Sequence, residues 1–283
     1  MKSQIHSKLL ACTTTAVLSI SSAFAGESAK SIQAAANQSV IEPAVSGING
    51  KIDVNYGAVN NSYTRGTAGS VSLPLGQSYG LQLDALYQHG METDIYGLGG
   101  HIFTRRPDKG MLGLAFGGNE STDFTDLLVG VEGEYYFSKI TLGGFVGYNN
   151  FDSHIIPTFS TNLATKTNFV AGRIYAAIYP MDNLMLRLEY QNRFERNFFV
   201  AHLEYQTPVR GVALFLDGGL GDNSYSHLMG GVRIYFGGNK SLKDRHRKDD
   251  PSNINSAIIN SATGAISSPV KASNGGGGGI PPV

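Results

Sequence analysis

Between Lys51 and Phe236 apolar residues alternate with small or polar ones in runs of roughly ten, and Gly, Asn, Asp or Pro closes each run. A period of two sustained over such a run predicts a β-strand that is apolar on one face only. In Tyr79–Tyr87, residues Tyr79, Leu81, Leu83, Ala85 and Tyr87 share one face and Gln82 and Asp84 the other, with Leu86 as the breach. Leu127, Val129, Val131 and Tyr135 likewise oppose Glu132 and Glu134, and Leu184, Leu186, Leu188 and Tyr190 oppose Arg187, Glu189 and Gln191. The pattern predicts strands near 50–60, 65–75, 79–89, 94–105, 110–118, 126–137, 139–149, 167–179, 184–193, 197–206, 211–220 and 226–237.

Alternation alone does not say which face meets water, because a soluble sandwich has the same period. The N-terminus bears on that choice. Lys2 and Lys8 precede an apolar stretch from Leu9 to Ile20, and Ala23-Phe24-Ala25 follows, the order of a secretory signal cut after Ala25. Residues 1–25 are therefore expected to be a signal peptide and 26–49 a flexible periplasmic lead-in. Cleavage would remove Cys12, the only cysteine, which excludes a disulfide scaffold, thiolate-ligated zinc and a thiol nucleophile. It would also remove two lysines and no acid, leaving a formal charge of −2 and no basic field for nucleic acid.

Past residue 25 no stretch approaches the roughly 18 apolar residues of a spanning helix. The exported chain is rich in glycine, and its 14 Tyr and 13 Phe concentrate near strand ends. By parity Tyr56, Tyr87, Tyr96, Tyr148, Tyr190 and Phe199 point outward near one rim, and Tyr79, Tyr135, Phe137, Tyr205 and Phe236 near the other. Two such belts around an aliphatic band are what a membrane barrel carries at its interfaces. Hydrocarbon offers no partner for an open sheet edge, so the first strand must pair with the last. The expected fold is all-β: one closed transmembrane antiparallel barrel of about 12 strands over residues 50–237, an up-and-down meander. Connections after odd strands are longer on average and include the one long loop, 149–166, which places both termini in the periplasm.

The inward parity holds the candidate functional residues. Asp84, Glu132, Glu134, Arg173, Arg187, Glu189, His202, Glu204, Asp217 and Arg233 are expected to line a lumen, together with Asp53, His101 and Tyr235. Charges in apolar surroundings need partners or water, so this wall either flanks a narrow pore or braces the barrel as an ion-pair network. The excess of acids over arginines at these positions predicts a weak cation preference in an open pore. The long loop brings Phe151, Ile155, Ile156 and Phe159, either as a surface loop or as an inward constriction.

No catalytic residue, cofactor site or metal site is expected. Ser226 and His227 are neighbours near Asp222, but adjacent strand residues face opposite ways, which makes a lipid-modifying hydrolase the weakest of three readings. Glu92, Asp94, Glu120, Asp123 and Asp126 read as a solvated loop face, with divalent bridging to lipopolysaccharide as the alternative. Residues 238–283, of mixed charge and then rich in Gly, Ser and Pro, are expected to be a disordered periplasmic tail, with contact to peptidoglycan or an envelope protein as its candidate role.

The last strand, Gly230-Gly-Val-Arg-Ile-Tyr-Phe236, resembles the assembly signal of outer-membrane barrels, although Met229 stands where a polar residue is usual and the chain runs on past Phe236. Ser72–Asp84, Gly133–Tyr136, Gly231–Gly237 and Lys240–Pro251 together resemble a family of uncharacterised proteobacterial porin-like outer-membrane β-barrel proteins. That resemblance implies an outer-membrane barrel, lipid and lipopolysaccharide around it and the barrel-assembly machinery as a partner in biogenesis. It transfers no functional residue. The expected function is passive passage of ions or small polar solutes, with a non-conducting structural or envelope-interaction barrel as the alternative.

Overall fold

In a computed structural model of the protein, residues 42–90, 92–154, 166–193 and 196–251 are described. The expected signal peptide, the loop residues 155–165 and the tail beyond Pro251 lie outside them.

The period-two runs fold as twelve antiparallel strands: β1 (Asn49–Val59), β2 (Ser62–Leu75), β3 (Tyr79–Gly90), β4 (Thr93–Arg106), β5 (Gly110–Ser121) and β6 (Phe124–Tyr136), then β7 (Ile140–Ser153), β8 (Lys166–Met181), β9 (Leu184–Arg193), β10 (Arg196–Gln206), β11 (Val212–Gly221) and β12 (Tyr225–Phe236). Each strand pairs with its sequence neighbours, and β1 closes the barrel against β12 from Gly50↔Phe236 to Val59↔His227. Closure leaves no backbone edge unpaired, the condition for standing in hydrocarbon.

Several strands run further than the alternation suggests, because pairing continues through polar residues. The β1–β2 connection is the two-residue turn Asn60-Asn61, both at positive φ (48° and 66°), the geometry of a type I′ hairpin that Asn tolerates. Tyr63 therefore joins β2 and stacks on Tyr56 with ring centroids 6.1 Å apart. Likewise β5 and β6 run to Ser121 and from Phe124, so the greater connection length at the loop end rests on the long loop alone, and the remaining connections there are no longer than those at the opposite end. Pro180 sits where the β8–β9 register shifts, a place where a missing N–H is tolerated.

The alternation resolves as membrane parity. Leu83, Leu114, Val131, Val146, Leu188 and Leu216 are exposed on the outer surface, while Gln82, Asp84, Glu132 and Glu189 are buried inside. Tyr56, Tyr63, Tyr87, Tyr96, Tyr148 and Phe199 are exposed near the loop end, and Tyr79, Tyr135, Phe137, Tyr205 and Phe236 near the opposite end, where the chain enters β1 and leaves β12. Tyr190 is half-buried, packed on Phe199 and donating to Asn197 Oδ1 at 2.7 Å.

Candidate functional site

The inner wall is built from directly opposed residues whose partners the register supplies. At the closing seam Asp53 faces Arg233, and the guanidinium makes a two-pronged contact with it, Nε to Oδ1 at 2.6 Å and Nη2 to Oδ2 at 2.8 Å. Its third nitrogen reaches Glu204 Oε2 at 2.6 Å, and the Phe215 ring lies 5.1 Å from the Arg233 guanidinium carbon. Glu204 also accepts from the Tyr235 hydroxyl at 2.6 Å. Next to it His202 faces Asp217 across β10–β11 at 3.1 Å; Asp217 also contacts His227 at 2.6 Å, and His227 contacts the Tyr225 hydroxyl at 2.8 Å. The two clusters meet where His202 Nε2 lies 3.5 Å from Glu204 Oε2, so one polar row runs along the β10–β12 wall.

A second group lies on β3, β4 and β6. His101 sits between Asp84 (3.0 Å) and Glu132 (2.6 Å), and Gln82 donates to Asp84 at 2.8 Å while accepting from Ser72 at 2.9 Å. A third group spans β6–β9. Glu134 accepts from Tyr136 at 2.7 Å and from Tyr175, whose ring lies between the guanidinium carbons of Arg173 (5.8 Å) and Arg187 (5.4 Å). Glu189 lies 3.5 Å from Arg187 and accepts from Gln191 at 2.6 Å.

All ten sequence-predicted lumen residues therefore lie on the inner face, and they fall into these three groups. The parity count missed Lys51, Arg105, Asp126, Arg193, Arg196 and His227, which are also buried. The signal was present, since each continues the inward parity toward the rims. Asp126 belongs there and not on a solvated loop face: it pairs with Arg193 at 2.8 Å and with Asn149.

Two features differ from a uniformly polar lumen. Ala68, Leu86, Ile95, Phe124 and Phe151 pack together inside the barrel toward its loop end, and Ala115, Leu128, Phe145 and Ala171 form a second apolar group, with Phe169 touching both. Leu86, the breach in the alternation, is thus a lumen contact, and Phe151 of the predicted long loop is an inward residue of β7. Space remains on the opposite side. A cavity of about 130 Å³ follows mainly the β8–β12 and β1 walls, with Leu86, Gln88, Glu134 and Thr141 closing it from the packed side, bounded on β12 from Tyr225 to Arg233 and at its far end by His246, Asp250 and Pro251.

Glycine makes room for one of these groups. A Cβ on Gly143 would overlap the Tyr175 ring and hydroxyl, so the small residue on β7 lets that ring lie flat and reach Glu134. Gly143→Ala is expected to lower barrel stability by about 1–3 kcal/mol, read as an earlier midpoint in heat-modified gel mobility, with Gly144→Ala, where a Cβ meets nothing closer than 3.1 Å, costing less.

The terminal end of the lumen is filled by the chain itself, which corrects the expected disorder of residues 238–251 and of 42–49. After Phe236 the chain turns back and forms α1 (Leu242–Lys248), capped by Ser241, whose hydroxyl accepts from Asp244 N at 3.2 Å. Leu242 is fully buried against Ala177, Tyr179, Met185, Ala213 and Tyr235. Arg245 lies 4.7 Å over Tyr235, and Arg247 lies over Tyr136 and Tyr179 while donating to Ile140 O at 2.9 Å. His246 contacts the Tyr179 and Tyr235 hydroxyls at 3.0 and 3.1 Å. Asp250 pairs with Lys51, and Gln82 Nε2 donates to Pro251 O at 3.3 Å.

Across the mouth, Val45 is buried on Phe103, Met111 and Tyr136, and Ala44 N donates to Gln77 O at 2.8 Å. The two halves are joined: Ser46 N donates to Lys248 O at 2.9 Å, and Asp249 takes Ser46 and Lys240 together. Burial pushes the Asp249 carboxyl up, while Lys243 beside Asp182 holds that exposed carboxyl down. Their responses to acid are opposite. Contact at Asp249 is favoured as pH falls below its raised value, whereas the Asp182–Lys243 pair is lost as pH falls through its lowered one. Composition misses this plug because its anchors are cations on aromatic rings and carbonyls, not apolar area.

Ser226 and His227 do not assemble with Asp222. His227 turns inward to Asp217, and Asp222 accepts from the Asn197 backbone and side chain at 2.8 and 2.9 Å. Among the described residues no cluster of His, Cys, Asp and Glu has the arrangement of a metal site.

A closed antiparallel barrel with an aliphatic band between two aromatic belts outside and paired charges inside is a transmembrane β-barrel of the outer-membrane, porin-like type. No protein-family profile and no curated protein sequence matches this chain. Among solved structures it is similar to the KdgM porin (9% identity, TM-score 0.49, covering 66% of this chain and 99% of that one) and the NanC porin (12%, 0.48, 65% and 98%). It is also similar to the outer membrane protein Omp33 of Acinetobacter baumannii (11%, 0.43, 67% and 98%). At such identities the class rests on this chain's own strand order and faces.

Proposed function

We propose that this barrel is a passive conduit for ions or small polar solutes across the outer membrane, with both termini in the periplasm and lipopolysaccharide around its loop end. The observation that carries the reading is the charge-lined cavity along the β8–β12 and β1 walls. A wall of Arg and carboxylate groups held in place by one another and by tyrosines presents fixed dipoles to a hydrated solute, as charged rings do in selective pores. The alternative, a structural barrel that does not conduct, is favoured by the apolar packing in the β2–β8 half of the lumen.

Ion preference follows from the enlarged inventory. Lys51, Arg105, Arg193, Arg196, Arg245 and Arg247 join the three arginines first counted, against only Asp126, Asp249 and Asp250 among the acids. The acidic excess expected from parity is nearly cancelled. Potassium and chloride permeabilities are therefore expected to agree within about twofold, measured as a reversal potential in planar bilayers. Resolved conductance steps support the conduit. Silence from folded protein, both full-length and lacking residues 239–283, would leave the structural reading.

A further inference from the structure

We infer that residues 42–48 and 238–251 form a displaceable gate, an internal plug over the mouth opposite the loop end that is held shut mainly by polar latches and opens when they are broken. This deepens the conduit reading and rests on it. Three observations carry it.

The first is position. The cavity that would carry solute stops on His246, Asp250 and Pro251, so the plug and not the barrel wall ends the route. Its contacts cross the mouth from the β8–β9 turn, where Lys243 meets Asp182 at 2.6 Å, to the β6–β7 turn under Arg247 and on to β1 and β3 at Lys51 and Gln82.

The second is the nature of the attachment. Each half has few buried apolar anchors, Leu242 on one side and Ala44 with Val45 on the other. The rest is polar: the barrel is met through Lys51–Asp250, Lys243–Asp182, Arg247 on backbone oxygens, His246 between two tyrosine hydroxyls and Arg245 and Arg247 over tyrosine rings, while Lys240–Asp249 and Lys248–Glu42 tie the plug to itself. Satisfaction is incomplete, since one guanidinium nitrogen of Arg245 and one oxygen of Asp249 are buried with no hydrogen-bond partner. Unpaired polar atoms lower the advantage of the docked state, and salt screens latches at the rim more than pairs inside the wall.

The third is the shortness of α1. Seven residues do not hold a helix in water, so α1 would unwind once released and the docked and released forms would be distinct. The link between halves through Ser46, Lys240, Asp249 and Lys248 makes release of one loosen the other.

The test compares the full-length protein with a variant ending at Gly238 in planar bilayers of one lipid composition, with heat-modified gel mobility verifying a folded barrel in each. The truncated barrel is expected to show a time-averaged conductance about tenfold or more above that of the full chain at low salt. Raising KCl from about 0.1 M to about 1 M is expected to narrow that ratio as the latches are screened. Equal conductance in both proteins overturns the gate and leaves the conduit standing. Silence in both overturns the conduit and the gate with it. Asp250→Asn with Arg247→Gln in the full-length chain breaks two latches without shortening it. Conductance above the parent supports the gate, and conductance equal to the parent overturns it, whether or not the truncated chain folds.

Discussion

Arg233→Met is expected to lower barrel stability by about 3 kcal/mol or more, measured by urea unfolding in phospholipid vesicles. Three hydrogen bonds end on two buried carboxylates at this one guanidinium, and methionine leaves Asp53 without its partner in the seam and Glu204 with only neutral or distant ones. The loss measures an uncompensated buried charge more than the worth of the pair, so adding Asp53→Asn to Arg233→Met should recover part of it. Arg233→Lys keeps the charge but not the planar fork that serves Asp53 and Glu204 together, and falls between parent and Arg233→Met. A loss below about 1 kcal/mol for Arg233→Met would mean that water solvates both carboxylates and that this wall faces a wide aqueous lumen.

Val131→Arg is expected to cost about 2–4 kcal/mol in the same assay, while Tyr135→Arg, four residues along the same face at the aromatic belt, costs about 0–1 kcal/mol for the charge itself. Val131 is paired with Leu114 halfway along β5 and β6, both exposed on the outer surface, so the arginine would enter hydrocarbon at its deepest point. Leu188→Arg, midway along β9 a quarter-turn around the ring, should behave like Val131→Arg. Equal costs at positions 131 and 135 would remove the depth dependence that a bilayer imposes and with it the assignment of this face to lipid.

Which of these features the chain reveals unaided depends on how local their cause is. Leu81, Leu83 and Tyr87 on one side and Gln82 and Asp84 on the other are separated by the pleat of a single strand, so facing is visible in a run of seven residues. The belts follow equally well, and Tyr63 escaped only because the positive-φ pair Asn60-Asn61 turns more tightly than a polar stretch suggests. The lumen list was sound as a list of inward positions. Its pairings were not visible, because Asp53 and Arg233 meet only when the last strand closes on the first, 180 residues later. Nor does parity separate His101, clamped between carboxylates, from Phe145 or Phe151, which fill the same lumen with apolar surface.

The sequence by itself determined twelve strands, their greasy and polar faces, the aromatic belts and the necessity of closure, all of which follow from a period of two and from the absence of hydrogen-bond partners in hydrocarbon. Tertiary structure alone decided which charges neutralise one another, which half of the lumen is packed, and that residues after Phe236 return to cover the mouth. Those outcomes depend on register around the whole ring: Tyr136, Tyr179 and Tyr235 come from three separate strands, and a short Arg-rich segment has nothing to fold against until the barrel has brought their rings together.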